Sequence, residues 1–436
     1  MKNIFKLPLL LLPASLPAQI NFSGEINPNV MTRTSDQSQI NLPYRLLSLD
    51  LGFTMGNWDL KTNSVIEYRN KPSESTFDLR EIYLAYFPEW GEVKIGKQIH
   101  AWGSADGNNP TDNLNPYDYY YLFEPGVGKK IGTWSIATKL YYGNYQLEGI
   151  ITPKFVPNRF PYGETDFPIS IPEKPTIDYS VQDELELGFR VQTTVGESDF
   201  GFSMFRGNDR SPSLSTIQYY PKDENQPGST ERIIPQLGYR TTTVWGLDFV
   251  TFTGDFSVRG EGAIFKTQSP LLKLNLFKTP LNLYEFHQEI TYAQYVLQVE
   301  YIAASGLTIT GQLLGYSINN QKYDWFQTLT QELVTFAPPT FQPGMGTPFA
   351  IFSDQSFLLS SLGTLMNGRL ELRGATMIDI GEKGKMLSAS AAYSPWENWN
   401  IDMSVTLFSG DKDDPENTFG KMEAFSHTKL GVYFNF

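Results

Sequence analysis

A chain of 436 residues is long enough for two or three soluble domains, but its 14% aromatic content at a mean hydropathy of only -0.30 argues against that organisation. In a soluble protein so many rings would lie in apolar runs or amphipathic helices, whereas here they alternate with polar residues, as on strands with one face on lipid and one on water. The net charge of -13 argues against a nucleic-acid partner, and the absence of cysteine excludes disulfides, thiolate chemistry and cysteine-based metal sites.

The first 18 residues have the layout of a secretory signal peptide. Lys2 and Lys6 precede an apolar run at residues 7–12, and prolines and small residues follow up to Ala18. Because the run is too short to span a bilayer, we expect cleavage after Ala18 and export of residues 19–436 as a single domain. Loss of two of the 34 basic residues leaves 47 acidic against 32 basic ones, a mature charge of -15.

Beyond the signal peptide, apolar and polar residues alternate with period two in a series of short segments, which predicts β-strands. We place about eighteen strands, with sixteen as the alternative. They lie at residues 19–27, 44–53, 58–68, 77–87, 91–100, 131–141, 145–154, 183–195, 198–207, 238–252, 255–267, 289–303, 306–317, 353–367, 369–379, 385–394, 399–408 and 424–436. Short turns and mostly long polar loops alternate between them, with 380–384 as a short exception. This asymmetry predicts an all-β fold, a transmembrane antiparallel β-barrel with short periplasmic turns and long outer loops.

The two faces of the predicted strands differ in polarity. In the strand at 183–195, Leu187 and Phe189 alternate with Glu186 and Arg190. Because an Arg or Lys on lipid near the midplane costs about 2–4 kcal/mol, the charged face must line the lumen. The predicted lumen-lining residues are Lys94, Gln98, His100, Glu184, Glu186, Arg190, Arg259, Glu261, Glu300, Glu371 and Arg373. Aromatic residues concentrate near the strand ends, where an interfacial girdle is expected.

The last strand ends the chain on an aromatic residue, Phe436, which follows the alternating Leu430, Val432 and Phe434. This ending resembles the recognition signal read by the barrel-assembly machinery. We therefore interpret Phe436 as an assembly signal, with that machinery and outer-membrane lipid as expected partners.

Motifs cluster between the fourth predicted strand and the loop after the seventh. They occupy residues 79–84, 96–98, 102–107, 112–118 and 152–161. Together they resemble a family of uncharacterised porin-like outer-membrane β-barrel proteins with the pattern "LREAYL … GRQ … WG.ADG … D..NP.D". Two departures are Lys97 for Arg and Thr152 for Ile. The resemblance implies an outer-membrane barrel, often with genes for hydrophobic-compound transport nearby, and supplies no substrate.

The connection at residues 101–130 is predicted to fold into the barrel and narrow it, since a barrel of about eighteen strands leaves a lumen too wide for wall side chains to fill. Counted from the N-terminus, it is the third connection on the long-loop side, which is also where general porins have their constriction loop. Its Gly, Asn and Pro residues favour tight turns, and its tyrosines suit a partly wet interior or an amphiphilic solute. The alternative is an outer-surface loop. The candidate pore-constriction residues are Trp102, Asp106, Asp112, Asn113, Asn115, Tyr117, Asp118, Tyr119 and Tyr120.

Two groups of residues are candidates for a catalytic or a metal site. His100 with Asp106 and Asp112 could serve a barrel hydrolase, but no GxSxG or comparable nucleophile motif accompanies them, so we predict no enzymatic activity. Residues 411–417 could hold calcium through oxygen ligands, although they lack the EF-hand spacing and fit a solvated acidic loop better. We therefore predict no metal site and no cofactor.

The favoured function is an outer-membrane channel for passive or substrate-selective diffusion of small solutes, with amphiphilic or hydrophobic compounds as candidate cargo. The alternative is a non-conducting barrel that binds or anchors another protein or surface. The protein is expected in the outer membrane of a Gram-negative-type envelope. Its lumen is expected to prefer cations modestly. The sequence leaves open whether the barrel is a monomer or a homo-oligomer such as a trimer.

Overall fold

The computed structural model describes residues 19–124, 126–168, 179–221, 230–270, 282–327, 341–414 and 416–436, so the predicted signal peptide at 1–18 lies outside it. The strands are β1 (Gln19–Ile26), β2 (Asn29–Arg33), β3 (Tyr44–Met55), β4 (Trp58–Arg69), β5 (Glu74–Tyr86), β6 (Gly91–Gln98), β7 (Thr133–Tyr142), β8 (Tyr145–Thr152), β9 (Tyr179–Ser180), β10 (Glu186–Val195), β11 (Ser198–Asn208), β12 (Ser213–Pro221), β13 (Thr230–Gly238), β14 (Thr241–Thr253), β15 (Phe256–Gln268), β16 (Asn282–Ile302), β17 (Thr308–Gln327), β18 (Gln355–Leu365), β19 (Leu370–Asp379), β20 (Lys385–Trp396), β21 (Trp399–Ser409) and β22 (His427–Asn435).

Helical structure is confined to single turns in the loops. These are α1 (Thr418–Lys421) and the 3₁₀ turns Tyr119–Tyr121, Gly126–Lys129, Pro348–Ile351 and Met422–Phe425. No helix among the described residues is long and apolar enough to cross a bilayer.

Antiparallel pairing of neighbouring strands closes the wall into a barrel. Across the described residues it has 18 strands when β1 and β2, which both pair with β22, are counted as one interrupted strand and β9, β12 and β13 are left out, since β11 pairs directly with β14. At the seam the backbone groups of Gly24 and Phe436 exchange two hydrogen bonds, of 2.9 and 3.0 Å. Closure satisfies the strand edges that a bilayer could not hydrate. The predicted fold class is thus confirmed, and the count is 18 rather than 16.

The period-two alternation explains which face of the wall meets lipid. Leu187, Phe189 and Leu247 point outward and are exposed, whereas Glu186 and Arg190 point inward and are buried. The short turns use glycines at positive φ, among them Gly143 and Gly196, where a β-branched residue would be strained. Exposed aromatic side chains flank these turns: Trp58, Phe87, Trp90, Tyr141, Tyr142, Trp396 and Trp399.

The strands on one side are longer than the alternation predicted. Segments predicted at 289–303 and 306–317 extend to β16 and β17, with 21 and 20 residues, and the predicted loop 208–237 contains the hairpin β12–β13. β12 also pairs with the outer end of β16. A strand needs about 9–11 residues to cross a bilayer, so backbone pairing continues outside the membrane here. The alternation of lipid-facing residues does not predict these outer parts of the strands.

Candidate functional site

The interior of the barrel holds the candidate site, and its central feature is the connection between β6 and β7. We call residues 99–132 the lumen loop. Its first half is anchored by Glu261, whose side chain is buried on the inner face of β15, five strands further round the wall. The Glu261 carboxylate accepts hydrogen bonds from the backbone N–H groups of Ser104 (2.6 Å) and Ala105 (2.7 Å). It also accepts from Asn109 Nδ2 (2.7 Å) and Thr111 Oγ1 (2.8 Å).

Asp106 carries the lumen loop further along the same wall. Its carboxylate accepts from Arg259 NH1 at 2.7 Å and from Gln298 Nε2 at 2.6 Å. Its backbone carbonyl accepts from Gln312 Nε2 on β17 at 2.8 Å, and Asn108 Nδ2 donates to the same glutamine at 3.0 Å. The loop therefore bonds to the inner faces of β15, β16 and β17.

The middle of the lumen loop is held against the strands from which it leaves. Asn115 accepts from the backbone N–H of His100 (2.7 Å) and donates to the carbonyls of Gln98 (3.0 Å) and Ile131 (2.9 Å). Asp112 and Lys130 form a buried ion pair beneath it. Each side-chain group thus replaces a backbone hydrogen bond that an irregular segment inside a barrel would otherwise lack.

The ionisable groups of this middle part are shifted by burial. Burial, and next the positive charge of Lys130, lower the pKa of His100 to about 3. The imidazole is therefore neutral, and its Nε2 lies 2.9 Å from Ser135 Oγ. Burial likewise lowers the pKa of Lys129 to about 8. His100 has the surroundings of a loop-anchoring side chain.

Residues 117–120, three tyrosines and one aspartate, hold the second half of the loop in place. Tyr117 donates its hydroxyl to the Gly346 carbonyl at 3.2 Å, and Tyr119 stacks on Phe160 with ring centroids 4.5 Å apart. Asp118 caps the turn that follows and accepts from Arg159 at 2.9 Å. Burial raises the pKa of Asp118 to about 6 in spite of that guanidinium. The tyrosines therefore tie the lumen loop to two other inward-packed loops.

Apolar side chains pack together around this second half at the outer end of the barrel. The outer apolar cluster joins five loops and the strands β19, β20 and β21. Its members are Ile40, Tyr117, Tyr119, Leu122, Phe167, Phe352, Met377, Met386, Phe408, Phe419, Met422 and Phe425. Because the lumen loop leaves β6 and returns to β7, while Asp106 bonds to β15, β16 and β17, the loop crosses the interior of the barrel.

Ion pairs line the wall beneath the loops. Arg190 holds Asp248 with two hydrogen bonds of 2.8 and 3.0 Å, and Arg210 lies 2.8 Å from Glu186. All four side chains are buried, and a buried charge of this kind is tolerated only when paired. Arg210 also donates to the Leu114 carbonyl at 3.1 Å, which connects this wall to the lumen loop.

A group of carboxylates lies on the inner face of the wall. We call Glu25, Asp50, Glu81 and Asp402 the inner carboxylates. They lie on inward positions of β1, β3, β5 and β21. Within the described part of the chain, none of them has a Lys or Arg nitrogen within 4.0 Å.

The other predicted lumen residues are ion-paired, buried with a hydrogen bond, or exposed. Lys94 pairs with Glu92 at 2.6 Å, and Glu371 pairs with Arg373 at 2.6 Å on the inner face of β19. Glu300 lies 3.8 Å from Arg259. Gln98 is buried and donates to Ser135. Glu184 differs from its prediction: β10 begins at Glu186, and Glu184 is exposed in the preceding segment, where Asp183 Oδ1 caps Leu185 N.

The remaining constriction candidates lie in the loop as follows. Trp102 is buried and donates Nε1 to Glu148 at 2.8 Å, and Tyr120 donates its hydroxyl to Glu164 at 2.7 Å. Asn113 donates to the Pro110 carbonyl at 2.8 Å. Sequence reasoning missed Arg159, Lys130 and Arg210, because a charge in an irregular loop carries no periodic signal of its partner.

The acidic segment 411–417 forms local turns. Asp411 Oδ1 accepts from Asp413 N at 3.0 Å, and Asn417 Oδ1 accepts from Gly420 N at 2.9 Å at the start of α1. In the part of the chain that the structure describes, no group of three His, Asp or Glu side chains is arranged to hold a metal ion.

Comparisons with known proteins agree with this architecture. The family described as "Protein of unknown function (DUF1302)" matches residues 54–425. A search of curated proteins found no match. Among solved structures the chain is similar to OccK2 (OpdF) of Pseudomonas aeruginosa in complex with glucuronate, at 9% identity and a TM-score of 0.52 over 96% of this chain and 97% of that one.

Two further solved structures are similar. A BenF-like porin from Pseudomonas fluorescens Pf-5 has 10% identity and a TM-score of 0.52 over 96% of this chain and 98% of that one. OccD3 (OpdP) of Pseudomonas aeruginosa has 10% identity and a TM-score of 0.50 over 97% and 92%. At these identities the likeness shows the fold, which is that of an outer-membrane porin barrel.

Proposed function

Because the chain belongs to the DUF1302 family and folds as an outer-membrane porin barrel, we propose that it is a channel for substrate-selective diffusion of small solutes. The observation that carries the proposal is the lumen loop, which crosses the interior and bonds to β15–β17 on one side. A loop held in this way sets the size and polarity of the path through a barrel whose wall alone leaves a wide lumen.

Amphiphilic molecules are the solute class that the lumen suits best. The exposed ring of Phe123 and the partly exposed ring of Phe349 border the outer apolar cluster, while the inner carboxylates lie further along the lumen. A solute with an apolar body and a polar group would find partners for both along one path. The proposal assigns no catalysis and no cofactor.

A non-conducting barrel with a surface-binding role is the second candidate. It is favoured by the outer apolar cluster, because twelve packed side chains from loops and wall fill part of the outer end of the barrel. Measured conductance in planar bilayers separates the two functions: a channel conducts and an anchoring barrel does not.

The test of the channel is deletion of residues 104–121, which removes the bonds to Glu261 and the first part of the outer apolar cluster. We expect insertion with raised single-channel conductance, since the wall pairs without the loop. Heat-modifiability on gels controls for a folded barrel. If the deletion variant inserts into the membrane and its conductance is unchanged, the loop does not limit conductance. Liposome swelling with sugars, amino acids and fatty acids then ranks the solutes.

We further propose export through the signal peptide at residues 1–18, insertion by the barrel-assembly machinery, and assembly as either a monomer or a homo-oligomer. Edman sequencing of the mature protein beginning at Gln19, and cross-linking in native membranes, test these points.

A further inference from the structure

The backbone ladder of the barrel wall is interrupted between β5 and β6. β5 pairs with β4 along residues 74–86, but it pairs with β6 only from Ile82 to Tyr86. Among the described residues, no backbone hydrogen bond joins the outer half of β5 to the segment beyond β6. Gly132 lies there instead, so close that a Cβ would stand 2.1 Å from the Arg80 carbonyl oxygen.

Side chains bridge this interruption. Lys97 Nζ donates to the Leu79 carbonyl at 2.5 Å, and the Glu81 carboxylate accepts from Ile99 N at 2.7 Å. Arg80 NH2 lies 3.1–3.2 Å from three carbonyls of residues 127–130. An unpaired backbone group in hydrocarbon costs several kcal/mol, which explains these bridges. Side-chain hydrogen bonds can break and re-form one at a time, whereas separating two paired strands breaks several backbone hydrogen bonds together.

An apolar groove lies on the lipid-facing side immediately next to the interruption, over the first paired residues of β5 and β6. Its volume is about 380 Å³, and its lining includes Leu84, Ile95, Trp134 and Ile136, all exposed on the outer wall. The groove also reaches the inward-facing Tyr83.

A polar cavity of about 50 Å³ lies on the lumen side of the same strands, lined by Glu81, Tyr83, Lys94 and His100 among others. Tyr83 therefore borders both spaces. Gly96, at φ +145°, borders the groove without a side chain.

We propose that this interruption is a lateral exit through which an amphiphilic solute leaves the lumen for the membrane. The polar group of the solute is held at the cavity of Tyr83, Lys94 and His100, while its apolar body occupies the groove of Leu84, Ile95 and Ile136. A solute with both polar and apolar parts fits this place, because a polar cavity in the lumen adjoins an apolar groove that faces the bilayer. The inference rests on the proposed channel function and names its solute class and route.

The first experiment closes the exit with a disulfide, in a chain that has no native cysteine. Ile82 and Lys97 are the last paired residues before the interruption, so I82C/K97C places two thiols opposite each other at its edge. The matched control is I264C/A293C, a pair on the uninterrupted ladder of β15 and β16. Cells expressing each protein are exposed to the dye N-phenylnaphthylamine, which fluoresces when it enters membrane lipid.

We expect oxidised I82C/K97C to lower dye entry to the rate of cells lacking the protein, and reductant to restore it to the rate of the single variant Lys97→Cys. The control pair should give the wild-type rate in both redox states. Equal dye entry for oxidised and reduced I82C/K97C, with the disulfide shown on gels, would overturn the lateral exit.

The second experiment fills the groove. Ile136→Trp should abolish dye entry but leave planar-bilayer conductance unchanged, whereas Ile264→Trp, at a similarly exposed outward position, should change neither. Unchanged dye entry in Ile136→Trp would mean that the groove holds only lipid and the exit is wrong. A wild-type protein that neither conducts nor admits dye would instead refute the channel function itself.

Discussion

Removing the Glu261 carboxylate should release the lumen loop from the wall. In the folded protein this group accepts two backbone and two side-chain hydrogen bonds from residues 104–111, all between 2.6 and 2.8 Å. Hydrogen bonds to a charged group contribute about 1.5–3 kcal/mol each, but they are not additive, and water in the lumen replaces part of them. A net loss of about 3 kcal/mol is a fair estimate for Glu261→Ala.

That loss corresponds to a shift of roughly a hundredfold in the equilibrium between the docked and the undocked loop. Single-channel recordings of Glu261→Ala should therefore show frequent visits to a higher-conductance level that wild type reaches rarely. Glu261→Gln keeps one carbonyl acceptor and should give an intermediate result. Glu300→Gln, on the neighbouring strand, is the control, since Glu300 bonds to wall residues rather than to the loop.

Recordings of Glu261→Ala that match wild type, while the deletion of 104–121 raises conductance, would refute this account of how the loop is held. If both variants match wild type, the loop does not limit conductance at all.

Three other outcomes follow from the same structure. Removing Phe436 should reduce heat-modifiable protein in the outer membrane while export continues, because the terminal residue closes the seam with Gly24; unchanged assembly would contradict it. Reversal potentials in a salt gradient should show a modest cation preference, since the inner carboxylates lack close basic partners in the described chain, and an anion preference would contradict it. The pKa of Asp118, raised to about 6, means that its contribution to loop docking is fully present below about pH 4 and is lost as pH rises through 6. High-conductance visits should therefore increase from pH 5 to pH 7 in wild type, and the increase should be smaller in Asp118→Asn.

The sequence by itself determined the barrel. Every predicted strand is present, because a strand between lipid and water must alternate, so each segment such as Leu187–Arg190 carries its own evidence. The short turns could be located for a similar local reason, since Gly143 and Gly196 adopt a backbone conformation that other residues rarely take. The alternation also predicted an inward face for Glu186, Arg190 and Glu261, and these three side chains are buried.

Only the tertiary structure decided which partners the inward groups have. Glu261 and Ser104 are separated by 157 residues, and Arg210 and Glu186 belong to different elements, so no spacing along the chain encodes either contact. The interruption next to Ile82 and Lys97 was equally invisible, because the sequence of β5 does not show where the pairing of its neighbour β6 ends. Alternation reports which medium each face of a strand meets. It carries no information about which distant loop residue, or which missing neighbour, completes the hydrogen bonds of that strand, and those are the features that shape the path through the barrel.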